Sequence, residues 1–306
     1  MKNLLITLLV IGLLVAGFFW FIGDRDRGMW LMNTAIGSVS SATSVTNLTY
    51  GDKQWQKLDV YPQKSTSPVL VFIHGGSWRH GRKDQYFFAA DAFSRLGYTV
   101  VLPDYIKHPD QNARFPAFIE DGAQALAWVK HNIADYNGDP NNIFVAGHSA
   151  GAHTALMLAT DAQYLNAVGL TERDLRGVAG IAGPYSFTPD WYVTKEVFGP
   201  PDRYPLMDVF NYVDGEEPST LLLHSKADTQ VGQYNQEGLA ERLQANGVDV
   251  ETVLYEQFSH IDILLKLHPW FAGETTVAQD IDHFFKARVE THNNSAANQV
   301  SVANSH

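Results

Sequence analysis

Gly147-His148-Ser149-Ala150-Gly151 stands between two apolar runs, Ile143 to Ala146 before it and Ala150 to Ala159 after it. No other segment of the chain leaves so few folds open. The first run has the length of a buried strand and the second that of a buried helix. The pentapeptide therefore reads as a sharp strand-to-helix turn with a serine at its apex. Side chains two positions to either side of that serine would run into neighbouring backbone, so glycine stands at both. The hydroxyl is left at a helix N-terminus, where the dipole favours developing negative charge.

The rest of the chain repeats this strand-then-helix rhythm. Val69 to Ile73, Tyr98 to Leu102, Val178 to Ile181, Thr220 to Leu223 and Val250 to Leu254 read as strands. Asp84 to Leu96, Phe118 to Ile133, Gly238 to Ala245 and Val277 to Phe285 read as helices, the second carrying an apolar stripe at 119, 123, 126, 129 and 133. Strands spaced by helices predict an α/β fold: a mostly parallel, doubly wound sheet with helices on both faces. Residues 184–218 interrupt the rhythm with prolines and aromatics and read as a small cap-like insertion. The predicted organisation is an apolar segment at 1–23, a linker at 24–48, a catalytic domain at 49–290 and a disordered tail at 291–306.

A serine hydroxyl is a poor nucleophile without a base, and the base needs a carboxylate to orient it. On such a sheet these partners follow later strands, in the order Ser, Asp, His. Asp228 comes just after the strand Thr220 to Leu223, and His260 just after the strand Val250 to Leu254. Asp208 and Asp262 compete for the acid, and His224, His268 and His283 for the base. Asp208 lies in the insertion and Asp262 only two residues past the histidine. His224 precedes the acid on the same strand end, and His283 sits on the last helix. Position therefore favours Ser149, Asp228 and His260. After the strand Val69 to Ile73 comes His74-Gly75-Gly76-Ser77-Trp78, whose glycines let backbone approach a substrate. The expected oxyanion donors are the N–H groups of Gly76, Ser77 and Ala150. His74 is expected to hold its loop by hydrogen bonds. Trp78, Trp191 and Tyr192 are candidate walls of the substrate pocket.

On these motifs the chain resembles the α/β-hydrolase superfamily, in particular bacterial esterases and lipases with an HGGSW-type loop. Hormone-sensitive-lipase-like carboxylesterases and arylformamidases are similar. The resemblance spans about residues 50 to 288 and includes Val101-Leu102-Pro103-Asp104-Tyr105, Phe115-Pro116-Ala117 and Asp139-Pro140-Asn141-Asn142-Ile143. The chain departs from it at Ile106, where arginine is frequent, and at Ser77, where lipase-type members carry a third glycine. The resemblance implies a serine esterase acting on short-chain or aryl carboxylic esters through an acyl-enzyme. The same machinery would serve an arylformamidase-like amide hydrolase. A non-catalytic binding protein on this fold is the remaining reading, against which all three triad positions are filled.

Other chemistries are disfavoured. The chain has no cysteine, which removes thiolate catalysis and cysteine-type metal sites. Its 12 histidines show no metal-ligand spacing, and its glycines make no nucleotide fingerprint. No metal and no cofactor is therefore expected. A net charge of −11 disfavours nucleic acid as a partner and leaves a small-molecule ester. The second expected partner is a membrane. Leu4 to Gly23 is almost unbroken apolar sequence, and twenty residues match a hydrocarbon core of about 30 Å. Phe18 to Ile22 runs past the small residues Val15-Ala16-Gly17 where a signal peptidase would cut. This predicts a single-pass anchor in the cytoplasmic membrane with an extracytoplasmic (periplasmic) catalytic domain, the alternative being secretion after cleavage.

Overall fold

The computed structural model describes residues 25–109, 113–274 and 277–289. Its strands are β1 (Val45–Thr49), β2 (Lys57–Tyr61), β3 (Ser67–Ile73), β4 (Thr99–Pro103), β5 (Gly138–His148), β6 (Leu175–Ile181), β7 (Thr220–Ser225) and β8 (Val250–Tyr255). They form one sheet in the order β1-β2-β4-β3-β5-β6-β7-β8. Strands β1 and β2 are antiparallel to their neighbours, and β3 through β8 run parallel.

The helices are α1 (Arg25–Val39), α2 (Phe87–Arg95), α3 (Ala117–Asn132), α4 (Ala150–Thr160), α5 (Ala162–Asn166), α6 (Tyr192–Phe198), α7 (Tyr234–Ala245), α8 (Asp262–Leu265) and α9 (Pro269–Ala272). A further helix, α10, covers 277–289.

Period-two alternation divides each central strand between two cores. Val69, Val71 and Ile73 of β3 pack with Ile119 and Leu126 of α3 and Leu156 of α4. Leu70 and Phe72 of the same strand pack with Phe88 and Phe93 of α2 and Phe284 and Phe285 of α10. Every residue of α4 is buried, as expected of a helix apolar on all sides. The chain leaves β3 toward β4 on one side and leaves β5 toward β6 on the other. The carboxyl ends of β3 and β5 thus flank the switch point where such sheets open a crevice.

The insertion at 184–218 joins β6 to β7 and is packed down onto the domain. Val193, Val197, Phe198, Met207 and Val209 are buried, and Phe115 N–H donates to the Val197 carbonyl at 2.8 Å.

The linker predicted at 24–48 is corrected: it holds α1 and β1. Ile36 is fully buried, with Met29 and Met32 packed beside it. Asn33 accepts from Phe88 N–H at 3.0 Å and donates to the Gln85 carbonyl at 2.7 Å, so it caps the start of α2. Because so few positions turn inward, a helix rich in Ser, Thr, Asn and Gly resembles a tether in composition. The anchor predicted at Leu4 to Gly23 and the tail at 291–306 lie outside the described residues. Among the described residues, no helix is long and apolar enough to cross a membrane.

Candidate active site

Ser149 occupies the turn between β5 and α4 with φ 55° and ψ −121°, a conformation unfavourable for a side chain and tolerated where surrounding structure enforces it. The glycines show what enforces it. A Cβ on Gly147 would lie 2.3 Å from the Gly151 carbonyl oxygen, and one on Gly151 would lie 2.1 Å from that of Ile73. The start of α4 is thereby pressed directly onto the end of β3, and the serine is pushed up into the crevice.

The structure brings the three predicted side chains together. Ser149 Oγ lies 2.9 Å from His260 Nε2, and His260 Nδ1 lies 2.7 Å from Asp228 Oδ2. A carboxylate only accepts, so Nδ1 carries the proton and Nε2 is free to accept from the serine hydroxyl. Asp228 is fixed on its other side by Gln230 N–H at 2.8 Å and Val231 N–H at 3.0 Å, both donating to Oδ1. Burial opposes its charge, but these bonds and the one from His260 outweigh it and hold the carboxyl below its usual range.

Three of the competing residues are engaged elsewhere. Asp208 accepts from Ser186 Oγ and Phe210 N–H, Asp262 from Ser259 N–H, and His268 pairs with Asp91 at 3.0 Å.

Gly76, Ser77 and Trp78 all have positive φ, at 133°, 54° and 56°. Only the first is glycine, so the loop holds strain of the kind that clusters at functional sites. Among the described residues, the N–H groups of Gly76, Ser77 and Ala150 have no hydrogen-bond partner. Unpaired N–H groups beside a serine hydroxyl are an arrangement that could hold an oxyanion. His74 anchors the loop from below: its Nδ1 donates to the Gly75 carbonyl at 2.9 Å, and its ring stacks on Tyr105 at 4.4 Å. The Tyr105 hydroxyl donates back to the His74 carbonyl at 2.8 Å.

Over the serine lies a cleft of about 470 Å³, lined by Ser77, Trp78, Ser149, Phe187, Thr188, Asp190, Trp191, Gln230, Tyr234 and His260, among others. Trp78 forms its inner wall, 3 % exposed, with Phe187 parallel at 6.0 Å and Phe198 edge-on at 4.7 Å. Trp191 stands at the mouth, 48 % exposed. Tyr192, expected in the wall, does not line the cleft. The helical turn of α6 carries it outward, where its hydroxyl accepts from Arg79 at 2.7 Å. Phe187, Gln230 and Tyr234 carry no sequence signal of this role, because the first two are loop residues outside any motif and Tyr234 opens α7, exposed at a helix end. Among the described residues, no cluster of His, Asp or Glu has the arrangement of a metal site.

Against known protein families, the BD-FAE model matches residues 58–243, which run from within β2 into α7 and include the loop His74 to Trp78, Ser149 and Asp228. The chain belongs to the BD-FAE family. Curated proteins similar to this BD-FAE chain include Esterase LipQ of Mycobacterium tuberculosis, 29% identical over 194 residues, covering 58% of this chain and 45% of LipQ. Another is the isoprenylcysteine alpha-carbonyl methylesterase ICME of Arabidopsis thaliana, 26% identical over 266 residues, covering 77% of this chain and 60% of ICME. The BD-FAE chain thus spans about half of the length of these relatives.

Solved structures share its fold. A truncated carbohydrate esterase from gut microbiota superposes with a TM-score of 0.69 at 22% identity, covering 81% of this chain and 96% of that one. Esterase B from Lactobacillus rhamnosis does so with a TM-score of 0.72 at 17% identity, covering 92% and 98%. The BD-FAE chain therefore has the α/β-hydrolase fold, as its sequence motifs imply.

Proposed function

We propose that this chain is a serine hydrolase that cleaves carboxylic esters through an acyl-enzyme. The observation that carries the reading is the continuous relay Ser149 Oγ, His260 Nε2, His260 Nδ1, Asp228 Oδ2, with links of 2.9 and 2.7 Å. The esterase names of its curated relatives support it.

In this reading Ser149 attacks the ester carbonyl while His260 takes its proton. The oxyanion that forms is held by the N–H groups of Gly76, Ser77 and Ala150. Asp228 keeps the imidazole in the productive tautomer and stabilises its positive form. His260 then protonates the leaving alcohol, and water repeats the sequence to release the acid. The wall formed by Trp78 on one side of Ser149 favours a short acyl group, and the open mouth by Trp191 and Tyr234 leaves room for a larger alcohol.

The test is turnover of p-nitrophenyl acetate and of longer p-nitrophenyl esters by the purified chain. Hydrolysis falling with acyl length is expected, and no turnover of any of them contradicts the reading.

The proposal includes location: a single-pass membrane anchor at Leu4 to Gly23 with the domain outside the cytoplasm. The unbroken apolar run supports it. Fractionation is the test, since release by osmotic shock or salt alone contradicts an anchor.

A further inference from the structure

His148 fills the variable position before the nucleophile, and nothing in the assigned triad or oxyanion donors uses it. It is the last residue of β5 and is 2 % exposed. Ser149 rises into the cleft, whereas the His148 ring turns beneath the loop that carries the base. Its Nε2 lies 2.9 Å from the backbone carbonyl oxygen of His260. A carbonyl only accepts, so this nitrogen is the donor.

The two imidazoles are neighbours, with centroids 4.8 Å apart and planes at 43°. His148 also touches the oxyanion loop from below. A Cβ on Gly75 would lie 2.7 Å from the His148 carbonyl oxygen and 3.1 Å from its Nδ1. One buried ring therefore joins the nucleophile's strand, the loop of the base and the loop of the oxyanion donors.

The loop of the base needs such a hold. His260 is buried, but Glu256, Gln257, Ser259, Ile261 and Asp262 around it are exposed. Its side chain must meet Asp228 and Ser149 at once, and a small rotation of its backbone would break one link to keep the other. Misplacement by about 1 Å is enough to lower a rate about 100-fold.

We propose that His148 is a positioning residue for the reaction: its Nε2–H clamps the His260 carbonyl and so holds the catalytic imidazole between Ser149 and Asp228. The proposal rests on the reading of Ser149 and His260 as nucleophile and base. It also gives a physical reason for glycine at position 75, since a side chain there would displace the clamp.

The test compares full-length wild type with His148→Phe, His148→Gln and His148→Asn on p-nitrophenyl acetate, with thermal unfolding recorded for each. Phenylalanine keeps the ring and removes the donor. Glutamine can place its amide N–H near the position of Nε2, and asparagine is too short to do so. The expected result is a fall in kcat of about 10- to 100-fold for the Phe and Asn variants with KM changed less than about threefold. The Gln variant should recover to within about fivefold of wild type. Should the Phe variant fail to fold, the Gln and Asn pair decides alone.

Equal kcat in all four proteins overturns the clamp. So does a loss in the Gln variant as deep as in the Asn variant, which would mark His148 as packing only. A wild-type chain that neither hydrolyses esters nor takes a fluorophosphonate label overturns the ester-hydrolase reading instead, and the wild-type measurement alone distinguishes the two failures.

Discussion

Asp228 Oδ2 lies 2.7 Å from His260 Nδ1, across a contact where the carboxylate side chain is 0 % exposed and the imidazole 5 %. A buried hydrogen bond to a carboxylate fixes which imidazole nitrogen carries the proton. Asp228→Asn keeps the shape but can present an amide N–H to Nδ1, favouring the wrong tautomer. The expected loss in kcat is about 10³- to 10⁴-fold with little change in stability. Steady-state kinetics on a p-nitrophenyl ester check it, and a loss below about tenfold would remove Asp228 from the relay.

Trp78 closes the inner end of the cleft against Phe187 and Phe198. Trp78→Leu should open space where a longer acyl chain can lie. The ratio of kcat/KM for p-nitrophenyl octanoate to that for acetate is expected to rise by about tenfold. An unchanged ratio would place the acyl group elsewhere.

His153 lies fully buried one turn beyond Ser149, its Nε2 donating to the Met207 carbonyl at 2.8 Å. Burial pushes its pKa down to about 4. The unfolded chain binds this proton from about pH 6.5 downward, well before the folded chain does. Stability is thus complete above about pH 6.5 and is lost as pH falls toward 4, by about 2 kcal/mol between pH 7 and pH 5. Burial moves His74 and His224 in the same direction. Urea unfolding at both pH values should show His153→Gln losing about 2 kcal/mol less than wild type. Equal losses would contradict this.

Ile36 ties α1 to the domain with no exposed surface. Ile36→Ala should lower unfolding free energy by about 2 to 4 kcal/mol and leave kcat unchanged at low temperature. A change within about 0.5 kcal/mol, the range of an ordinary surface substitution, would restore the picture of a tether.

What the sequence made legible, and what it hid, follow from the same physics. The elbow, the loop His74 to Trp78 and the order Ser149, Asp228, His260 stand out because the chemistry demands fixed residue types at strand ends. The central strands stand out because burial on both faces demands apolar runs. Helix α1 stays hidden, since its docking uses little more than Ile36, Met29, Met32 and the side chain of Asn33. The antiparallel β1 and β2 stay hidden for a related reason: β1 lies at the sheet edge with a mostly exposed pattern, and the apolar residues of β2 are interrupted by Lys57 and by Asp59, a buried charge paired with Lys83. That Tyr192 faces away from the cleft stays hidden too, because aromatic residues in an insertion do not announce which side of a short helix they take. His148 carries no signal in the pattern, because G-x-S-x-G leaves that position unspecified and only the packed structure shows what its ring touches.

The central claim is that Ser149 is an activated nucleophile, and a fluorophosphonate probe with peptide mapping tests it most directly. The wild-type chain is expected to take one label, on Ser149, and Ser149→Ala and heat-unfolded wild type to take none. A folded wild-type protein that remains unlabelled, or that carries the label on another residue, would contradict the account.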